Sequence, residues 1–452
     1  MNKTDTIVAQ ITPEGKSGVA IVRISGEKAP EVCMKVLKKI PSPRYAHYLN
    51  FFDNNNCIID QGIGIWFPAP YSFTGENILE LQGHGNPILI NLILKTILSI
   101  PGLRFATPGE FSKRAFLNGK IDLSQAEAIA DLINAESEQS ARASLNSMQG
   151  VFLKNIQKIL ISIISIRTII ESSINFEEVD DKFVENTLNI KLTTLIIFLK
   201  KVIKSAYQGT IIRNGFKITI IGLPNVGKSS LLNALSLKNL AIVTNIEGTT
   251  RDVIQNYINI EGNIFRINDT AGLRKTNNII ELIGIKKAWK TVNKSHHILY
   301  VIDNINVNEQ IHTRILNKIP PSIPRTIVVN KCDLTKKKYK LKTMKSIDHV
   351  YISSKKNIGI NLLRQHLLKK SVFNKSITLN KEQFSARDRH LHYLNKCLLE
   401  LIKGKRKWEK LKKIELIAEH MRLSQMYLDN ITGTFTSEDL LNQIFSNFCV
   451  GK

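Results

Sequence analysis

Short β-branched runs, punctuated by Gly and Pro, open this chain. Val19-Ala-Ile-Val-Arg-Ile24 and Gly62-Ile-Gly-Ile-Trp-Phe67 have the length and residue types of strands, and they predict an α+β domain over residues 1–118. Over 119–210 the pattern changes to a helical period. Ser124-Gln-Ala-Glu127 has the form of a capping box, and no proline interrupts the chain between Pro108 and Pro224. The apolar tract Ile159 to Phe176 carries Ser162, Ser165, Arg167 and Glu171, so it reads as a packed helix rather than a membrane span. Residues 211–373 alternate strand with helix, Phe216–Ile221 and Asn263–Asn268 being the clearest strands, and this predicts a mostly parallel sheet. Helical periodicity resumes over 374–452. The organisation is that of an α/β domain inserted into a discontinuous α-helical domain.

The inserted segment carries three ordered motifs. Gly222-Leu-Pro-Asn225-Val226-Gly227-Lys228-Ser229 is a P-loop. Its backbone N–H groups suit phosphate oxygens, Lys228 suits the β/γ oxygens and Ser229 suits Mg²⁺. The helix expected from about Ser230 aims its positive end at the same anion. Asp269-Thr270-Ala271-Gly272 follows a strand, so Asp269 can hold Mg²⁺ through water while the Gly272 N–H senses a γ-phosphate. In Asn330-Lys331-Cys332-Asp333 the last carboxylate can accept two hydrogen bonds from guanine. Adenine offers no such pair, so GTP is the expected nucleotide. Gly248-Thr249-Thr250-Arg251-Asp252 supplies Thr250 as a switch residue closing on Mg²⁺. Leu273 stands where Ras-like enzymes place the glutamine that orients water. Glu281 is the carboxylate downstream, suited to that task or simply to a helix start.

With 452 residues and 43% hydrophobic content, two to four globular domains are expected. The polar opening Met1-Asn-Lys-Thr-Asp-Thr6 predicts no signal peptide, and no membrane partner is expected. Cys33, Cys57, Cys332, Cys397 and Cys449 lack metal-ligand spacing, which points to a reduced, cytoplasmic compartment. The net charge of +25 suits nucleic acid. The abundance of Ile, Asn and Lys is also what a biased genome produces. Lys336–Lys342 and Lys403–Lys410 fit a solvated surface or an RNA groove.

A further set of segments carries a family likeness. Asp5-Thr-Ile-Val-Ala-Gln-Ile-Thr-Pro13, Ser72-Phe-Thr-Gly-Glu-Asn77, Leu79-Glu-Leu-Gln82, Pro108-Gly-Glu-Phe-Ser112, Arg114–Lys120, Gly248–Asp252 and Phe448-Cys-Val-Gly-Lys452 together resemble the tRNA-modification GTPase family MnmE, also called TrmE. The resemblance spans the chain. It implies a folate-binding-like N-terminal dimerisation domain and a discontinuous helical domain into which a Ras-like G domain is inserted. It also implies a homodimer that works with an FAD-dependent partner, MnmG, as a heterotetramer to modify the wobble uridine of tRNA. A tetrahydrofolate derivative, 5-formyl- or 5,10-methylene-tetrahydrofolate, would carry the one-carbon unit, with Arg23, Glu80, Lys120 and Lys452 matching its contacts.

The same resemblance implies K⁺ in place of an arginine finger, with Asn225, Thr244, Ile246 and Thr249 as its ligands and Glu281 positioning water. GTP contacts would come from Asn225–Ser230, from Thr244-Asn245-Ile246-Glu247-Gly248-Thr249-Thr250, from Asp269–Gly272, from Asn330–Asp333 and from Ser353-Ser354-Lys355. Ser354 departs from the family's usual Ser-Ala-Lys, and Gly83 stands where some relatives carry cysteine. That leaves Cys449 as the thiol placed near folate. The competing reading is a G-protein switch that recruits an RNA or ribosomal partner, and folate binding separates the two.

Overall fold

The computed structural model of the chain describes residues 5–175, 181–236, 256–269, 289, 291–304, 309–335, 338–344, 346–371, 383–411, 414–433, 438–446, 448–449 and 451. Six strands come first: β1 (Thr6–Gln10), β2 (Ser17–Ser25), β3 (His47–Phe52), β4 (Ile58–Phe67), β5 (Ile78–Gly85) and β6 (Leu103–Phe105), in the order β3-β4-β5-β2-β1-β6. All neighbours are antiparallel except β1 and β6. Period-two alternation decides which face is buried. Ala20, Val22 and Ile24 of β2, with Leu79 and Leu81 of β5, enter a core shared with α1 (Ala29–Val32) and α2 (Pro87–Leu98). The opposite face is left to Arg23 and Glu80. The Asn86 side chain accepts from the Ile88 N–H and Pro87 takes the first helical position, so α2 starts with its first turn satisfied. A short helix, α3 (Glu110–Leu117), follows β6.

Four helices come next: α4 (Leu123–Ile133), α5 (Glu138–Met148), α6 (Val151–Asn175) and α7 (Asp181–Asn214). The capping box lies two residues earlier than Ser124 suggests. Asp122 Oδ1 accepts from the N–H groups of Ser124 at 2.7 Å and Gln125 at 3.1 Å, and Gln125 Oε1 accepts from the Asp122 N–H at 3.0 Å. Aspartate is the better cap here because its carboxylate also accepts a hydrogen bond from the Ser124 hydroxyl, leaving that serine inside the helix. Helix α6 buries Ile156, Ile159, Ile163, Ile166 and Ile170 at three- and four-residue spacing.

A seven-stranded sheet then forms from β7 (Phe216–Gly222), β8 (Asn256–Ile260), β9 (Asn263–Asp269), β10 (His297–Asp303), β11 (Arg325–Asn330), β12 (Leu341–Met344) and β13 (Ile347–Tyr351), with α8 (Lys228–Ser236), α9 (Glu309–Lys318) and α10 (Ile360–Lys370) between or after them. Its order is β12-β13-β11-β10-β7-β9-β8. The five central strands are parallel, and β12 and β8 are antiparallel edges. Strands β7, β10 and β11 are almost continuously buried, as a sheet covered on both faces requires. Ile218, Ile220, Leu299, Val301 and Val328 pack toward α8 and α10 on one side. Ile221, Ile298, Tyr300, Ile327 and Val329 pack with Ile319 and the partly buried Ile315 and Leu316 on the other.

Three helices complete the described chain: α11 (Asp388–Leu411), α12 (Ile414–Thr432) and α13 (Glu438–Ser446). Helix α12 packs along α6. The chain divides into two compact units, Met1–Ala130 with Ser147–Leu199 and His392–Lys452, and Asp131–Asn146 with Lys200–Leu391. Among the described residues, no helix is long and apolar enough to cross a membrane, and no group of three or more His, Cys, Asp or Glu is placed to hold a metal ion.

Candidate functional site

Strand β7 has β9 on one side and β10 on the other, so the strand order reverses beside it. A crevice at the carboxyl end of such a strand is where α/β sheets bind ligands. The chain leaves β7 there through a loop that only glycine permits at two points. A Cβ on Gly222 would lie 2.4 Å from the Val301 carbonyl oxygen. One on Gly227, whose φ is +91°, would lie 2.4 Å from Asn330 Nδ2. Asn225 also has a positive φ of 60°, which asparagine tolerates. Helix α8 then begins at Lys228, two residues before the expected start, with Ser229 and Ser230 in its first turn. The Lys228 ammonium donates to the carbonyls of Gly222 at 3.1 Å and Leu223 at 2.9 Å, which keeps it over the loop.

The end of β11 meets this loop through one buried side chain. Asn330 Nδ2 donates to the Val226 carbonyl at 2.9 Å, and Asn330 Oδ1 accepts from the Ser354 N–H at 3.0 Å. One asparagine thus joins three predicted segments, and 1% of it is exposed. The Ser354 contact is made by backbone, so a serine in place of alanine leaves it intact. Lys331 has a φ of 63°, and its ammonium lies 2.6 Å from Asp303 Oδ2. Asp303, at the end of β10, was not singled out from the sequence. A strand-terminal aspartate beside the crevice was the available signal. Cys332 is buried, its N–H donating to the Ile352 carbonyl at 3.1 Å. Asp333 is held below the usual carboxylate range by the Ser353 hydroxyl, with Lys356 and Lys355 contributing charge. It therefore stays an acceptor, the state that guanine's two donors require.

Strand β9 ends at Asp269, which stands opposite Ile220 of β7 and so reaches the same end of the sheet as the P-loop. Thr244–Thr250, Thr270–Gly272, Leu273 and Glu281 lie outside the described residues.

A second polar cluster occupies the N-terminal sheet. Arg23 and Glu80 stand opposite each other on β2 and β5, joined at 2.8 Å and 2.7 Å. The guanidinium sits 5.6 Å from the ring centroids of both Phe73 and Phe111, so the ion pair has aromatic walls. Lys120 borders the same 71–75 turn, with its ammonium 6.0 Å from the Tyr71 ring centroid. Lys452 lies outside the described residues, but Gly451 brings the tail to β1: a Cβ on it would lie 2.7 Å from the Gln10 carbonyl oxygen. The Gly109 N–H donates to the Cys449 carbonyl at 3.3 Å, and the Cys449 side chain is exposed. Beneath the turn, Glu110 receives Arg104 at 2.7 Å and Arg114 at 3.0 Å, and Arg114 reaches Glu76 at 3.0 Å. Burial opposes charge on Glu110, but the two guanidinium groups and the Thr107 N–H outweigh it and hold its pKa at about 2.

Two family models match the chain. The profile described as "GTP-binding protein TrmE N-terminus" matches residues 6–120, and "MnmE helical domain" matches 123–449. A protein of Proteus mirabilis (strain HI4320) named "tRNA modification GTPase MnmE" is 46% identical over 100% of both chains. One of the same name from Buchnera aphidicola subsp. Baizongia pistaciae is 49% identical over 99% of each. The chain belongs to the MnmE family of tRNA modification GTPases. The MnmE assignment rests on these full-length relatives. Among solved structures, Aquifex aeolicus Era bound to GDP·AlF4⁻ is 22% identical, covering 41% of this chain and 66% of that one, with a TM-score of 0.28.

Proposed function

We propose that this chain is a K⁺-activated GTPase of tRNA modification that acts in the cytoplasm as a homodimer with the FAD-dependent partner MnmG. Its product would be the carboxymethylaminomethyl or aminomethyl group at C5 of the wobble uridine, with a tetrahydrofolate derivative carrying the one-carbon unit. The observation that carries the reading is full-length identity of 46–49% to MnmE proteins, joined to a base loop tied directly to a phosphate loop. We read residues 1–118 as the folate and dimerisation domain, 119–210 with 374–452 as the helical domain, and 211–373 as the G domain.

In this mechanism Asp333 accepts from guanine, and Asn330 keeps the base loop and P-loop in register. Lys228 exchanges its two carbonyl partners for phosphate oxygens, where its charge offsets that developing on the β–γ bridge. The oxygen donors fit Mg²⁺: Ser229 in the first turn of α8 and Thr250 would hold it, with Asp269 acting through water. Asn225, Thr244, Ile246 and Thr249 offer the amide, hydroxyl and carbonyl oxygens that suit K⁺. When bound, the two cations supply electrostatic stabilisation of the transferred phosphoryl group. Glu281 orients the attacking water, a task Leu273 cannot perform. In the N-terminal domain the Arg23–Glu80 pair and its aromatic walls suit a flat, polar pterin, and Lys120 and Lys452 suit carboxylates.

The test is GTP turnover with K⁺ against Na⁺, joined to mass spectrometry of wobble nucleosides from cells lacking the protein. Strong stimulation by K⁺ and loss of the modified uridines are expected. Equal rates in both salts remove the ion-bridge mechanism, and unchanged nucleosides remove the tRNA assignment.

A further inference from the structure

One buried carboxylate fastens both chain connections of the nucleotide-type sheet. Asp131 lies near the end of α4 with its side chain 5% exposed. Its Oδ1 accepts from Arg213 Nε at 2.8 Å and from Arg387 Nη2 at 2.8 Å, and its Oδ2 accepts from Ser385 Oγ at 3.0 Å. Arg213 is at the end of α7, just before β7, and Ser385 and Arg387 lead into α11 on the return path. The same return segment is held closely elsewhere. The Ser385 N–H donates to the Ala143 carbonyl at 3.1 Å, and Asn146 Nδ2 donates to the Gln383 carbonyl at 2.7 Å. A Cβ on Gly209 of α7 would lie 2.1 Å from the Phe384 carbonyl oxygen.

We infer that Asp131 is the positioning residue through which movement of the sheet's chain ends reaches α4, so that it governs tRNA modification rather than GTP hydrolysis. The inference rests on the functional reading above. Any shift of Arg213 relative to Arg387 must either carry Asp131 with it or separate a charge-assisted pair. Separation strips the buried carboxylate of one of its two guanidinium partners, which is the dearer outcome. Helix α4 therefore follows the chain ends. None of these partners of Asp131 belongs to the P-loop or the base loop, so hydrolysis does not depend on them.

The experiment uses the full-length protein with its flavin partner and tRNA, comparing wild type with Asp131→Asn and Asp131→Glu. Three quantities are read: GTP turnover, yield of modified wobble uridine, and hydrogen exchange over residues 123–133 with GDP against a triphosphate analogue. For Asp131→Asn, turnover should stay within about twofold of wild type while modification falls by roughly tenfold or more, and the nucleotide-dependent exchange difference in α4 should vanish. Asp131→Glu, which restores the carboxylate, should recover part of both. Parallel loss of turnover and modification, or an exchange difference equal to wild type, overturns the inference. Should Asp131→Asn not fold, Arg387→Lys keeps the charge but not the planar fork and carries the same expectations. The exchange readout stands even if the wild type modifies no tRNA, so failure of the functional reading is seen separately.

Discussion

Replacing Asn330 by alanine removes a side chain that joins the P-loop to the Ser354 loop. Two backbone groups lose their partners: the Val226 carbonyl, bonded at 2.9 Å, and the Ser354 N–H, bonded at 3.0 Å. An unpaired buried group costs about 1–3 kcal/mol. Ser354 is partly exposed, so water repays some of its share, and a total of about 3 kcal/mol is reasonable. For a unit of about two hundred residues, each kcal/mol lowers Tm by roughly 2–4 °C, so a drop of about 6–12 °C is expected for that unit. On the proposed reading both loops serve diphosphate and triphosphate alike, so Kd for GDP and GTP should rise together, by about ten- to a hundredfold. Calorimetric melting and titration with a fluorescent guanine nucleotide measure the two effects. A Tm within about 2 °C of wild type, or a loss confined to GTP, would refute the assignment of Asn330 as a tie between loops.

In the proposed guanine contact, Asp333→Asn replaces one carboxylate acceptor by an amide donor. Competition binding should show the preference for GTP over xanthosine triphosphate fall by roughly a hundredfold, and an unchanged preference rules out the guanine assignment. Glu110 has a depressed pKa, so its stabilising effect is present at neutral pH and drains away as pH falls from 4.5 toward about 2. That shift corresponds to about 3 kcal/mol. Urea unfolding of Glu110→Gln should be weaker than wild type at pH 7 and lack this acid-dependent slope. Equal slopes in the two proteins would place the acid sensitivity elsewhere.

Strands announced themselves in the sequence as short runs rich in β-branched and aromatic residues, the types that a covered sheet packs. Phe216–Ile221 falls within β7, and Asn263–Asn268 within β9. The P-loop was equally legible, since glycine spacing and an adjacent strand encode it locally. The cap of α4 was misplaced because Ser124 and Asp122 are both good caps, and only the hydrogen bonds choose between them. The Lys331–Asp303 pair, the aromatic walls of Arg23 and the Asp131 clamp were illegible for another reason. Each joins residues far apart in the chain, at separations that no periodicity marks.

The threading of Cys449 and Gly451 against Gly109 and Gln10 has a consequence for biosynthesis. At about 5–20 residues per second, the ribosome takes roughly 20–90 s between making the first of these partners and the last. During that interval the opening sheet is tethered to an unfinished polypeptide and lacks its closing tail. Completion of this polar cluster is thus a late event, timed by translation, and a nascent chain halted before residue 449 would carry it incomplete.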